Sequence, residues 1–182
     1  MKDLTQEDIL DSLKGKIYTQ NYVTQPAIKG VKIVELKNHV SEDGDFYEII
    51  SFKHGKNEYF PDFEVTQINR SRMPPHSIKA WHLHFSQDEV WHIPPEIRLL
   101  VGLWDIRKAS ETKDVKMRFV LGGGTPHLIY IPKGIAHGSH NLSGETAGII
   151  YFMNQKFNKA EPDEKRISWD ILGTHFWLPQ RD

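Results

Sequence analysis

From Gly30 onward the chain breaks into short stretches rich in Val, Ile, Phe, Tyr and Trp, each closed by Gly, Pro, Asn or Asp. Branched and aromatic runs of this length suit a pleated surface, and the residues between them suit turns, so the body of the chain is constrained to strands. Ten candidates follow: 31–36, 45–53, 63–70, 78–85, 89–93, 97–106, 116–121, 127–131, 136–141 and 146–154. Strands this short and numerous predict an all-β fold, and ten at this spacing suit a jelly roll whose two antiparallel sheets curl around a cavity. One short helix is expected at the start, where Thr5 can cap it with Asp8 three residues on and Ile9, Leu10 and Leu13 recur at helical spacing before Gly15.

At 182 residues the chain is expected to form a single domain. Its parts would be an N-terminal helix and extended arm over 1–29, the jelly roll over 30–154 and a C-terminal cover over 155–182. In that cover the polar stretch 155–168 reads as a surface loop, its run from Lys159 to Arg166 as a solvated face, and Trp169, Phe176 and Trp177 as anchors. The triplet Gly122-Gly123-Gly124 reads as a hairpin loop, since no strand-to-helix context makes it a phosphate cradle.

Composition narrows the chemistry. Without a cysteine, disulfide frameworks, thiolate zinc sites and cysteine nucleophiles are excluded. Lys and Arg number 23 against 24 Asp and Glu, a formal charge of −1, which removes the bulk attraction a general nucleic-acid binder needs. The start, MKDLTQEDILDSLKGK, lacks a signal peptide's cationic beginning and apolar core, and no apolar run approaches the roughly 18–20 residues of a membrane span. A cytoplasmic protein with neither nucleic acid nor membrane as partner is the expectation.

The outlier is histidine. Of ten, six (His82, His84, His92, His127, His137 and His140) fall within about a third of the chain. The two-residue period of a strand over 78–85 puts His82 and His84 on one face. Glu89 follows five residues after His84, and Pro132-Lys133-Gly134-Ile135-Ala136-His137 brings in another imidazole after a turn. The arrangement H-x-H-x4-E, then P-x-G-x2-H-x3-N, resembles the cupin pattern. In metal-binding cupins the implied ligands are His82, His84, Glu89 and His137, a set suited to divalent Fe, Mn, Ni or Zn. The glycine that the pattern places after the glutamate is replaced here by Pro94-Pro95-Glu96, and His92, His127 and His140 read as ordinary half-buried residues.

Six further segments, in order between about Gly30 and Pro179, resemble one group of cupins, the dTDP-4-dehydrorhamnose 3,5-epimerases. They are Ser41–Glu48, Phe63–Ser71, Lys79-Ala80-Trp81-His82, Leu103–Arg107, Ile131–Gly138, and the tail with Tyr151, Phe157, Pro162-Asp163-Glu164 and Trp169-Asp170. The resemblance implies a nucleotide-linked 4-keto-6-deoxyhexose as substrate, with His82 as catalytic base and Tyr151 as acid. Phe46, Glu48, Gln67 and Asn69 would sit by the nucleotide, Lys79 by phosphate, and His84 and His137 along the pocket.

It further implies no cofactor, a homodimer that exchanges strands from residues 31–70, and a role in deoxysugar and surface polysaccharide synthesis. The chemistry is within reach of these side chains, because a C4 ketone acidifies C3 and C5 and a neutral imidazole is basic near pH 7. Regular alternation would turn Lys79 away from His82, so a bulge near Ala80 is required.

Departures from the group keep two alternatives open. Asp43 and Phe157 stand where it has an arginine and a second tyrosine, its lysine shortly after the H-x-Q segment is missing, and its late aspartate lies past Asp182. Asp88, Glu89 and Asp105 are the candidates to replace that aspartate behind His82. The alternatives are a metal-dependent cupin oxygenase or isomerase and a cupin that binds nucleotide sugars without turnover.

Overall fold

A computed structural model describes residues 3–19 and 26–180. Residues 20–25 of the expected arm lie outside them. The strands in chain order are β1 (Lys32–Glu35), β2 (His39–Ser41), β3 (Gly44–Phe46), β4 (Phe52–Lys53), β5 (Lys56–Asn57), β6 (Gln67–Met73) and β7 (Ile78–Leu83). They continue with β8 (Glu89–Ile93), β9 (Arg98–Asp105), β10 (Lys116–Gly122), β11 (His127–Ile131), β12 (Ile135–Asn141), β13 (Ala147–Met153) and β14 (Lys165–Arg166).

Two five-stranded antiparallel sheets result, ordered β1-β11-β8-β13-β6 and β10-β9-β12-β7-β14, with β2-β3 and β4-β5 as separate hairpins. This is the expected all-β jelly roll, and no helix among the described residues is long and apolar enough to cross a membrane.

Alternation builds the core. Leu99, Val101 and Leu103 of β9 point between the sheets onto Ile129, Ile131, Ile135 and Ile149. On the outer face of the second sheet, Leu100, Ala136 and Trp81 pack beneath Trp177. Strand β8 is buried at all five positions because both its faces are covered: Trp91 and Ile93 face inward, while Val90 lies under Leu36, Phe60 and Phe63.

The C-terminal cover is fixed by close contact. A Cβ on Gly102 would lie 2.6 Å from the Phe176 ring and 2.7 Å from that of Trp177, so only glycine admits these aromatics. His140 Nδ1 meets the Trp177 carbonyl at 2.6 Å, and Arg118 Nε donates to that of Phe176 at 2.7 Å. Phe176 and Trp177 anchor the tail as expected, but Trp169 stays 42% exposed and contributes its carbonyl to Trp177 Nε1.

Two local expectations are corrected. Thr5 and Asp8 do form the capping box, yet the segment holds only two 3-10 turns, Gln6–Asp8 and Asp11–Leu13. None of these turn residues is buried, and Leu10 is 71% exposed, so no packed face offsets the cost of nucleating an α-helix. The span 45–53 is divided between the two hairpins rather than forming one strand, because Gly44 and Gly55, both at positive φ, turn the chain beside it. Gly122, Gly123 and Gly124, at φ of 80°, 66° and 104°, make the hairpin turn between β10 and β11.

Candidate active site

A cavity of about 450 Å³ opens between the sheets. His82 and Lys79 of β7 and His137 of β12 line one wall; Asn69 and Ser71 of β6, Glu89 and Trp91 of β8 and Tyr151 of β13 line the other. Lys79 reaches the same cavity as His82 because the pairing of β7 with β12 shifts: His82 opposes His137, but Lys79, three residues back, opposes Ser139. The bulge lies at Ala80, and Gly138 leaves room for it, since a Cβ there would come within 2.5 Å of that of Ala80.

Four rings connect the two walls. His82 stacks on His137 at 5.9 Å between centroids, Trp91 stands edge-on to His137 at 5.4 Å, and Tyr151 stands edge-on to Trp91 at 5.3 Å. Burial, then the charge of Glu89, push the Tyr151 phenol above its ordinary pKa against an opposing hydrogen bond from Ser71, so it holds its proton at neutral pH. Lys79 Nζ donates to Ser71 Oγ at 2.5 Å.

His82 is held by the C-terminal cover. Its Nδ1 lies 2.7 Å from Glu164 Oε1, and its Nε2 lies 2.7 Å from Arg166 Nη1. A guanidinium only donates, so Nε2 carries the lone pair and Nδ1 carries the hydrogen given to Glu164. This is the tautomer a general base needs. Arg166 Nη2 also bonds Glu164 Oε1, at 3.0 Å. Hydrogen bonding to His82 keeps the Glu164 carboxyl below its usual range.

Glu164 therefore occupies the place for which Asp88, Glu89 and Asp105 were candidates. Asp88 instead accepts from the Lys133 backbone N–H at 2.8 Å, Asp105 is tied to Arg107, Ser110 and Thr112, and Glu89 serves His84 and Trp91. The stretch from Lys159 to Arg166 is thus not simply a solvated face. Asp163 in it accepts the backbone N–H groups of Phe85, Ser86 and Gln87, pinning the cover onto the turn after β7.

Also on the cavity lining, His84, Glu89 and His137 have donor atoms that all fall within 4.8 Å of one another. His84 Nδ1 bonds the Asp163 carbonyl at 2.7 Å and His137 Nδ1 that of Ile135 at 2.9 Å, leaving both Nε2 atoms toward Glu89 at 3.2 and 3.6 Å. Burial disfavours charge here, but the hydrogen bond and charge of His84 hold Glu89 down at about 2, and those of Glu89 raise His84. Burial pushes His137 down to about 4, so it is neutral. His82 stands outside this cluster. Two imidazoles and a carboxylate with secured second nitrogens can hold a divalent ion, although Gln87 and Trp91 already donate to the carboxylate at 2.8 and 2.7 Å.

Of the residues expected near the nucleotide, Asn69 lines the cavity. Gln67 is not part of the lining but bonds to two residues that are, donating to Asn69 Oδ1 at 3.0 Å and accepting from the Phe157 N–H at 2.9 Å. Phe46 and Glu48 do not line their own chain's cavity: Phe46 is 71% exposed on the separate β2-β3 hairpin, and Glu48 is exposed just after it. His92, His127 and His140 are structural and buried, bonded to Tyr47 Oη, the Gly122 N–H and the Trp177 carbonyl.

Comparison with known proteins identifies the family. The spore coat polysaccharide biosynthesis protein SpsL of Bacillus subtilis is 38% identical over 143 residues, 79% of this chain and 91% of SpsL. The probable low-salt glycan biosynthesis epimerase Agl13 of Haloferax volcanii is 28% identical over 145 residues, 80% of this chain and 90% of that protein. Among solved structures, dTDP-6-deoxy-D-glucose-3,5-epimerase RmlC of Legionella pneumophila, in complex with dTDP-4-keto-L-rhamnose, is 25% identical with a TM-score of 0.65, covering 80% of this chain and 76% of that one. The profile of the dTDP-4-dehydrorhamnose 3,5-epimerases matches residues 25–176, and with both walls of the cavity furnished as described, the chain belongs to that family of sugar epimerases.

Proposed function

We propose that the protein inverts C3, C5 or both of a nucleotide-linked 4-keto-6-deoxyhexose in the making of a surface polysaccharide. The observation that carries this is a base-competent His82 on one wall of the cavity with a protonated Tyr151 on the other. His82 Nε2 takes the proton from the carbon beside the ketone, and the C–H electron pair becomes the enolate double bond with charge on O4. Tyr151 Oη–H returns a proton to the opposite face, which inverts the centre. Lys79, whose Nζ reaches the cavity at Ser71, is assigned to the diphosphate.

The substrate class is supported by the ligand of the Legionella relative and the polysaccharide role by the names of the Bacillus and Haloferax relatives. Incubation with dTDP- or UDP-linked 4-keto-6-deoxyhexoses in deuterated water is the test. Deuterium at C3 or C5 is expected, and its absence with every such substrate refutes the proposal.

A homodimer is part of the same reading. Phe46 at 71%, Val40 at 81% and Ile68 of edge strand β6 at 59% exposure are apolar surface that a second copy would cover, bringing Phe46 and Glu48 to the partner's cavity. Sedimentation should give twice the chain mass.

The cluster of His84, Glu89 and His137 favours a second reading, a metal-dependent cupin isomerase or oxygenase, in which these three would hold the ion and the metal would supply Lewis acidity. Elemental analysis decides: stoichiometric metal lost in His84→Ala supports it, and full activity in metal-free protein ends it.

A further inference from the structure

Arg166 lines no expected site, yet its guanidinium rests on the nitrogen assigned to take the proton. Taking His82 as the base, as proposed above, we propose that Arg166 is a catalytic residue: it leaves His82 Nε2 when the sugar enters and donates to O4, stabilising the enolate.

Distance is the first ground. In a reactive complex the basic nitrogen lies about 3–3.5 Å from the carbon that loses its proton, and the carbonyl oxygen is two bonds from that carbon. A donor resting 2.7 Å from the nitrogen therefore needs only a short swing to reach the oxygen as charge develops on it.

Availability is the second. Lys79 is assigned to the diphosphate, and both nitrogens of His84 are taken, by Glu89 and the Asp163 carbonyl. Among the described residues, Arg166 is the cation in hydrogen-bond contact with His82.

Freedom to move is the third. The Arg166 side chain is 59% exposed, and its other partner is Glu164 at 3.0 Å, a half-exposed ion pair that water readily replaces. Guanidinium stays charged at any working pH, so no proton need move to prepare it. Departure of Arg166 uncovers the lone pair while Glu164 keeps the tautomer. The electron balance is that of the proposed epimerisation: the C–H pair enters the enolate, its charge rests on O4 against Arg166, and as the carbonyl re-forms the carbon–carbon π pair takes the Tyr151 proton, leaving the O–H pair on the phenolate.

The test compares wild type, Arg166→Gln and Arg166→Lys for deuterium exchange at C3 and C5 of dTDP-4-keto-6-deoxyglucose, with dTDP affinity measured in parallel. Arg166→Gln is expected to lower the exchange kcat by about 10²–10³-fold with dTDP affinity held within about threefold. Arg166→Lys should recover part of the rate because the charge returns. Unchanged kcat overturns the proposal, as does a loss confined to KM and dTDP affinity, which would place Arg166 on the diphosphate.

The resting contact is read without substrate, from the ¹⁵N resonance of His82 Nε2. It should move in Arg166→Gln, and identical spectra overturn the contact. Wild-type protein that exchanges no deuterium refutes the epimerase reading and the catalytic role together, and the imidazole resonance then still decides the contact.

Discussion

Glu164→Gln tests the support behind the base most directly. The imidazole becomes cationic as it takes the proton, and the carboxylate beside Nδ1 stabilises that charge more than it stabilises the neutral ring. Unit charges about 4 Å apart attract by about 4 kcal/mol at an effective dielectric of about 20. The side chains of His82 and Glu164 are 21% and 39% exposed, so water screens the pair and about half of that remains. About 2 kcal/mol corresponds to roughly 30-fold in rate.

The amide keeps the size and one acceptor of the carboxylate, so the loss should fall on kcat for hydrogen exchange at C3 and C5, measured by NMR at saturating dTDP-4-keto-6-deoxyglucose, with KM and melting temperature unchanged. Glu164→Ala also frees the ring to rotate and should cost about 10²-fold or more. Glu164→Asp, which restores charge at a shorter reach, should lie between wild type and the amide. Exchange by Glu164→Gln within about threefold of wild type refutes the assignment.

Tyr151→Phe should still exchange deuterium, because His82 can return a solvent-derived proton to the face it came from, but without inversion; NMR showing inverted product at the wild-type rate removes Tyr151 from the mechanism. Burial holds His92 at about 4 against an ordinary 6.5, so below pH 6.5 the unfolded chain binds a proton the folded one refuses, and stability falls by up to about 3 kcal/mol as pH drops toward 4. His92→Leu should flatten that part of the melting-temperature profile, and an equally steep profile contradicts it. Gly138→Ala forces a Cβ to 2.5 Å from that of Ala80 and should cost about 1–3 kcal/mol in denaturant unfolding together with much of the activity, since the bulge carrying Lys79 must shift.

The strands were legible where side-chain period and turn residues agreed. Leu99, Val101 and Leu103 alternate inward on β9, whereas the burial of both faces of β8 is masked in the sequence by its Glu89 and His92. The expected first helix does not form because a capping box describes only an end, whereas an α-helix also needs a face to bury, and Leu10 has none. His82, His84 and His137 could be placed in one cavity from strand period and the order of motifs. Glu164 and Arg166 could not: they belong to a charged run, and a strand of two residues is too short to show a period. Only the pairing of Arg166 with His82 across β14 and β7 reveals which of those charges meets the imidazole.

That pairing sets an order of failure on heating. Strand β14 is two residues long and hydrogen-bonded to β7 alone at the rim of its sheet, while β8, β9 and β12 are sealed on both sides. Its amides should exchange with solvent through small local openings at a fraction of the free energy of global unfolding. Detachment of this rim would free both nitrogens of His82 while the barrel stays intact, so turnover should fade several degrees below the melting transition and return on cooling.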